Sequence, residues 1–454
     1  MNFLELAKQY KEEAIDLLQK LVQIDSVLDE STKTKEMPFG KGINECLELF
    51  LEYAKKDGFV TLNDDGYAGL IKYPGKTKEL IGVLGHLDVV PVTDGWKFPP
   101  FSATIEDNFM YWRGVMDDKG PVVAAYIALK ILKDQGIILD KTVDFILGTD
   151  EETGWRGLEH YQQNYELPEI GFSPDAEFPL IHGEKGIIRC ILEGVPCVGF
   201  TLKGGNIFNA VIGDALATTK VDLTEQFNAY LEDNNLEGDY KFKDGTYYYH
   251  IKGVPAHAME PHKGVNAGTH LAVFLNEYFD HPTLQFITNC IHNDFNMTKL
   301  GQKFTHKVMG IITNNVGIMD FNEESTKFTF DIRYPIGFKF DLFSNAIPVI
   351  LDVYGIKVNI CEHKVPHYID VEDPLVKTLY DAYVKYTNDT ENKPCTIGGG
   401  TYARALKKGV AFGMELPIEP SVAHQIDERI NLDNLVTAIA IYAEAIYKLG
   451  MADA

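Results

Sequence analysis

The chain has 454 residues, 45% of them hydrophobic and 11% aromatic, with a formal net charge of −24. That length exceeds one ordinary core and predicts two domains, and the apolar content is well above that of a disordered chain. The negative charge argues against nucleic acid and anionic membrane as partners. Six cysteines are scattered without a CxxC pair, the pattern of a reducing compartment, and no apolar run reaches membrane-spanning length.

In chain order, "MNFLELAKQYKEEAIDLL" opens an amphipathic helix over 3–24 with charges throughout, not a signal peptide, so the expected location is the cytoplasm. A second helix over 42–57 ends at Asp57-Gly58, a glycine stop signal. The apolar run Leu80–Leu84 reads as a buried strand, followed by a hairpin around Asp107-Asn108 and a helix from about Pro121 to Lys133 closed by Gly136. Val143–Leu147 is a further buried strand. Strands alternating with helical periods predict an α/β layer with a mostly parallel sheet. From about residue 183 the texture changes to alternating, aromatic strands ("GIIRCILEG", "DGTYYYHIKG", "KFTFDIRYP") with a helical stretch over 264–279, an α+β pattern; the "TYYYH" run reads as strand core. Helix-rich α/β texture returns with "DPLVKTLYDAYVKYT" and "NLDNLVTAIAIYAEAIYKLG". The predicted architecture is a discontinuous α/β domain, 1–182 and 366–454, with an α+β domain, 183–365, inserted between its halves.

Open α/β sheets bind ligands beyond the carboxyl ends of their strands, and acids gather there. His86 and Asp88 follow one strand, Asp150-Glu151-Glu152 another, Asp175 lies in "GFSPDAEFP", and Asp117-Asp118 precede a helix. Singly, each has a structural explanation: a hydrogen-bonded pair for His86 and Asp88, a helix N-cap for Asp117 or Asp118, a solvated loop for "DEE". Jointly, three or four carboxylates at one rim repel one another unless a cation neutralises them. Mixed imidazole and carboxylate donors favour zinc or a similar divalent ion over calcium, and one carboxylate can bridge two ions.

The motifs "GHLDVVP", "RGVMDDKGP", "GTDEETGW", "SPDAEFP" and "AHQIDE" resemble, in order and spacing, those of the M20 metallopeptidases, and most closely the PepV-type bacterial dipeptidases. The resemblance implies one ion on His86, Asp117 and Asp175 and a second on Asp117, Glu152 and His424, with Asp117 as the bridge and a cis peptide at Asp117–Asp118. It gives Asp88 the other ring proton of His86. Glu151 becomes the general base, taking a proton from water bridging the ions and returning it to the departing amine. From the inserted domain, a lid, it implies His257 in "GVPAHAMEPHKGVNA" as the group that polarises the scissile carbonyl, Asn209 near the substrate, and Arg333 as a bidentate grip on the substrate carboxylate.

"TIGGGTYARA" contains G-x-G-x-x-A, a weak dinucleotide signal without a following complete βαβ unit. The resemblance instead implies a glycine loop before a helix N-terminus, with Gly399, Thr401 and Arg404 as carboxylate contacts. Trp112 departs from the family's usual glycine and is expected to alter the pocket's shape. The function implied is hydrolysis of unblocked dipeptides with two divalent ions, zinc first, manganese or cobalt next, by a monomer, with a homodimer as the alternative. The rivals are an M20-type deacylase of N-acyl amino acids and a catalytically silent small-peptide binding protein.

Overall fold

The computed structural model describes residues 1–451 as two compact units. The first is Met1–His182, Ile369–Cys395 and the chain from Gly400 onward; the second is Gly183–Tyr368 with Thr396–Gly399. The second unit is slightly larger than the expected insertion. Residues 396–399 join it because Ile397 accepts the main-chain N–H of Lys185 and Gly398 accepts from Arg333.

In the first unit the strand Leu80–His86 is flanked in parallel by Thr142–Gly148 on one side and Ile170–Ser173 on the other, and Lys408–Ala411 continues the parallel run. Within this sheet the parallel pairing stops at these four strands. The edge strands Val60–Asp64 and Ala68–Tyr73 pair antiparallel, because the turn between them at Asp65-Gly66, both with positive φ, is too short for a parallel crossover. Successive residues of the central strands face opposite ways. Val83, Phe145 and Phe172 enter the large core beneath the Lys119–Asp134 and Leu432–Gly450 helices, while Leu84 and Ile146 meet Tyr402 and Leu158 on the other face. Burial on both faces explains why these strands read as unbroken apolar runs.

The first helical segment divides at Tyr10 into Phe3–Gln9 and Lys11–Val22, with the Tyr10 hydroxyl held on Asp134 at 2.9 Å. Asp107 and Asn108 both take positive φ, the two-residue turn that joins Thr104–Glu106 to Phe109–Tyr111. Trp112 is fully buried against Phe101 in the core; it fills the interior and does not shape a pocket wall.

The second unit is built on an antiparallel sheet in the order 237–243, 246–252, 214–219, 200–204, 319–321, 326–334, 186–194, 357–364. Of the tyrosines in "TYYYH" only Tyr249 is fully buried. Among the described residues, no helix is long and apolar enough to cross a membrane.

Candidate metal centre

His86 ends the most central strand, fully buried. Its main-chain N–H donates to Asp118 Oδ2 at 3.1 Å. That contact requires Gly85: a Cβ there would stand 2.3 Å from Val122 and 2.8 Å from Asp118 Oδ2, so only glycine lets the Lys119–Asp134 helix approach the strand so closely. Asp118 occupies the N-cap position of that helix, yet its side chain caps none of the helix N–H groups. It turns back to the strand instead, which removes the simple N-cap explanation. The Asp117–Asp118 peptide is cis.

Beside His86 the acids converge. His86 Nε2 lies 3.0 Å from Asp117 Oδ1 and 3.8 Å from Asp175 Oδ2. The other oxygen of Asp117, Oδ2, lies 2.9 Å from His424 Nε2, which is also 2.9 Å from Glu152 Oε1. Asp117 therefore points one oxygen at each histidine. Two groups of donor atoms lie within 4.8 Å of one another, His86–Asp117–Glu152 and His86–Glu151–Asp175. His86 contributes to both, and Glu151 stands among the donors of the second.

Glu151 and Glu152 are held by the turn that follows Thr142–Gly148. Their main-chain N–H groups donate to the two oxygens of Asp88, each at 3.1 Å. The expected partnership of His86 and Asp88 is thus modified. The Nδ1 of His86 is nearest the main-chain carbonyl of Asp88, at 3.0 Å, with the carboxylate at 3.4 Å; the carboxylate's main work is to hold the Glu151–Glu152 turn. Asp150 is no solvated acid either. It accepts Nε and Nη2 of Arg156, both at 2.7 Å, and closes the same turn.

The electrostatics are those of a site short of positive charge. Burial, then Glu152, Asp117 and Asp88, push Glu151 up to about 8 against the opposing pull of His86. Burial and Asp117 raise Glu152 and Asp175. Burial alone would lower both histidines. Hydrogen bonds to Asp117 and Asp88 instead carry His86 well above its ordinary value, and bonds to Asp117 and Glu152 take His424 to about 11. Burial would raise Asp117, but its bonds to His424 and His86 hold it well below the usual carboxylate range. A donor set of two imidazoles and several carboxylates, retaining protons it would surrender in water, fits divalent cations.

Other predicted residues fall elsewhere. Within the second unit, Asn209 and His257 are brought together: the Ala258 N–H donates to the Asn209 carbonyl at 2.9 Å, and Ala210 bridges to His257. The Nδ1 of His257 accepts from Met259 N–H at 3.2 Å. Arg333 departs from expectation. It is buried, its Nε and Nη2 are paired with Asp331, and Nη1 donates to the Gly398 carbonyl at 2.8 Å. Its Nε–Nη2 edge is taken by Asp331, its neighbour two positions away on the same strand face, so a side-on grip on a substrate carboxylate would have to displace that pairing.

The glycine loop also differs. Gly399 belongs to the second unit, and Thr401 and Arg404 to the first. Only a four-residue 3₁₀ turn, Tyr402–Ala405, follows the loop, and Thr401 Oγ1 already accepts the Ala403 N–H. No longer helix opens there to offer free N–H groups, and the Arg404 guanidinium lies against Gly400.

Three residues at the site were not singled out from the sequence. Trp155 donates its indole N–H to Glu151 Oε1 at 3.0 Å. Tyr402 places its ring edge-on to both Trp155 and His86, lying over Gly148, where a Cβ would come within 2.3 Å of it. Glu428 is fully buried and accepts from the loop that carries Asp117. Its signal was its place as the last residue of the "AHQIDE" motif, four residues after His424.

The sequence profile of peptidase family M20/M25/M40 matches residues 82–448. A protein of Staphylococcus aureus strain MW2 described as a "Putative dipeptidase" is 39% identical over 465 aligned positions, covering 98% of each chain. Among solved structures, human carnosine dipeptidase 1 superposes with a TM-score of 0.62 at 15% identity, covering 99% of this chain and 98% of that one. The dipeptidase Dug1p of Saccharomyces cerevisiae gives 0.59 at 14% identity over 98% of both. The profile match spans most of the chain and the relative spans nearly all of it, so this chain belongs to peptidase family M20/M25/M40.

Proposed function

We propose that this chain is a metal-dependent dipeptidase of the PepV type, hydrolysing the peptide bond of dipeptides with a free amino terminus. The observation that carries the reading is the bidirectional Asp117, one oxygen on His86 and the other on His424, with Glu151 alongside and held by Trp155. The 39% identical relative described as a dipeptidase supports the same substrate class. His86, Asp117, Glu152, Asp175 and His424 would hold two divalent ions, zinc before manganese or cobalt given the imidazole share of the donors. Such ions, when bound, lower the pKa of water and polarise the scissile carbonyl.

The chain's own part is proton handling and orientation. Glu151, once neighbouring cations offset its burial, is a carboxylate placed to accept a proton from the attacking water and pass it to the leaving amine. Trp155 keeps that carboxylate aimed. Asp88 holds Glu151 and Glu152 at a fixed separation through their main-chain N–H groups. His257 and Asn209, joined in the second unit, are the candidates for substrate contact, His257 as the carbonyl-polarising group. The scattered, unpaired cysteines suit a cytoplasmic enzyme, and the proposed working form is a monomer.

The test is a panel of free dipeptides and matched N-acyl amino acids, run on metal-stripped protein with zinc, manganese and cobalt restored in turn. Turnover of free dipeptides that returns only with added ion supports the reading. Turnover confined to the N-acylated compounds would replace it with a deacylase.

A further inference from the structure

The segment leading to His424 is largely exposed between Pro417 and Ile426, and His424 itself takes a φ of +63° with half of its side chain in solvent. Such a loop has little packing of its own to hold an imidazole within fractions of an ångström of its partners. Four residues later the chain reaches Glu428, which is completely buried. Glu428 Oε1 accepts the main-chain N–H groups of Met116 at 2.8 Å and Asp117 at 3.1 Å. Its Oε2 accepts Gly114 N–H at 3.0 Å and Arg113 Nη1 at 2.7 Å. The main-chain carbonyl of Glu428 takes the Trp112 N–H at 2.8 Å, and Arg113 uses Nη2 on the His424 carbonyl at 3.3 Å.

We infer that Glu428, acting with Arg113, is a positioning residue that locks the Asp117 loop to the His424 loop and so sets the metal position shared by Asp117, Glu152 and His424. The inference rests on the metal-centre reading above. The position built on His86 and Asp175 depends less on this brace, because both residues directly end or follow central parallel strands and reach it only through Asp117. The chemistry demands a carboxylate. Four donors meet two oxygens, and a carboxylate is acceptor-only. Glutamine has the same shape, but its amide nitrogen would have to face either the Met116–Asp117 pair of N–H groups or the Arg113–Gly114 pair, and either way donor would meet donor.

The test is calorimetric zinc titration of the metal-stripped full chain, with cobalt(II) absorption as a second readout of ligand geometry. The parent is expected to bind two ions. Glu428→Gln should weaken one of them by about 10–100-fold and leave the other within about threefold, as removal of an outer partner of a metal ligand does. Arg113→Lys keeps a cation beside Glu428 but gives up the forked reach to His424, so it should weaken the same ion by a smaller factor and alter the cobalt spectrum in the same sense. If both ions weaken equally in either folded variant, the brace is general scaffolding and the inference is wrong; if neither changes, it is wrong outright. Should Glu428→Gln fail to fold, Arg113→Lys decides the matter on the same criterion. A parent that takes up no zinc at all would remove the metal-centre reading itself, a result distinct from two normal binding events in the variants.

Discussion

The indole N–H of Trp155 reaches back four residues to Oε1 of Glu151 at 3.0 Å, while Trp155 itself takes a φ of +64° at the start of the Arg156–Asn164 helix. The turn exists in this form because Asp150 gathers Arg156 and Thr153, and its carbonyl accepts the Trp155 N–H. Trp155→Phe keeps a ring against Tyr402 and deletes only the donor. A hydrogen bond to a charged group is worth about 1.5–3 kcal/mol, so kcat/KM for a free dipeptide should fall roughly 10–100-fold. Bound metal, measured by elemental analysis, should be unchanged. An unaltered kcat/KM would mean that Trp155 does not aim the base.

Glu151→Gln separates chemistry from metal binding more sharply. The amide can still accept from Trp155 but cannot take a proton. Removal of a general base costs about 10²–10⁴ in rate, so kcat should fall by that factor while zinc stoichiometry stays at the parental level. Because Glu151 stands among the donor atoms around His86 and Asp175, the stoichiometry matters as much as the rate. Loss of one ion in Glu151→Gln would show it to be a ligand and not the base.

The pKa shifts fix how stability responds to pH without metal. Glu151 is pushed up to about 8, mainly by burial, and Glu152 and Asp175 are raised for the same reason. Groups with folded pKa above unfolded contribute stability below the unfolded value and lose it as pH rises through the folded one. His424, at about 11, and His86 are also raised and act in the same direction above about pH 6.5. Asp117 is lowered, but its contribution is complete once the pH exceeds the ordinary Asp value of about 4. Metal-free protein should therefore melt at a lower temperature at pH 8 than at pH 6. Zinc replaces the protons, so the rise in Tm on adding it should be larger at pH 8. Scanning calorimetry in EDTA and in zinc, at both pH values, checks this; a metal-free Tm that climbs between them contradicts it.

His86, Glu152 and Asp175 could be read from the sequence because each ends or follows an apolar run, whereas Asp117, ahead of a helix, and His424, in an exposed loop, were reached as ligands only through the family motifs. The burial of Val83, Phe145 and Phe172 on one face and Leu84 and Ile146 on the other makes those runs continuous, and the polar residue that ends each one stands out. The antiparallel edge of the sheet does have a local signal, Asp65-Gly66 between the runs 60–64 and 68–73, a hairpin signature that periodicity alone does not show. The contacts of Glu428 and Arg113 have no such signal: they join chain positions more than 300 residues apart, and no local pattern encodes such a pairing. The partner of Arg333 is legible in the sequence. Alternation in "FDIRYP" puts Asp331 and Arg333 on one face of a strand, and an acid two residues from a buried guanidinium is its natural partner. The glycine run at 398–400 offered no helical period after it, and the fold supplies only a 3₁₀ turn there.

Asp88 joins two functions that a single substitution should disturb together. Its two oxygens accept the main-chain N–H groups of Glu151 and Glu152, and Oδ1 lies 3.4 Å from Nδ1 of His86. Asp88→Asn preserves size but turns one acceptor into a donor facing an N–H group, so at least one of the two glutamates must shift. Because Glu152 is next to His424 and Glu151 is the proposed base, the variant should lose on both counts. Metal affinity should fall by about 10–100-fold, as for other outer partners of metal ligands. Saturating zinc should then restore occupancy but not the full kcat, since Glu151 would remain displaced. Parental kcat at saturating zinc would show instead that Asp88 acts only through the metal ligands, with no part in aligning the base.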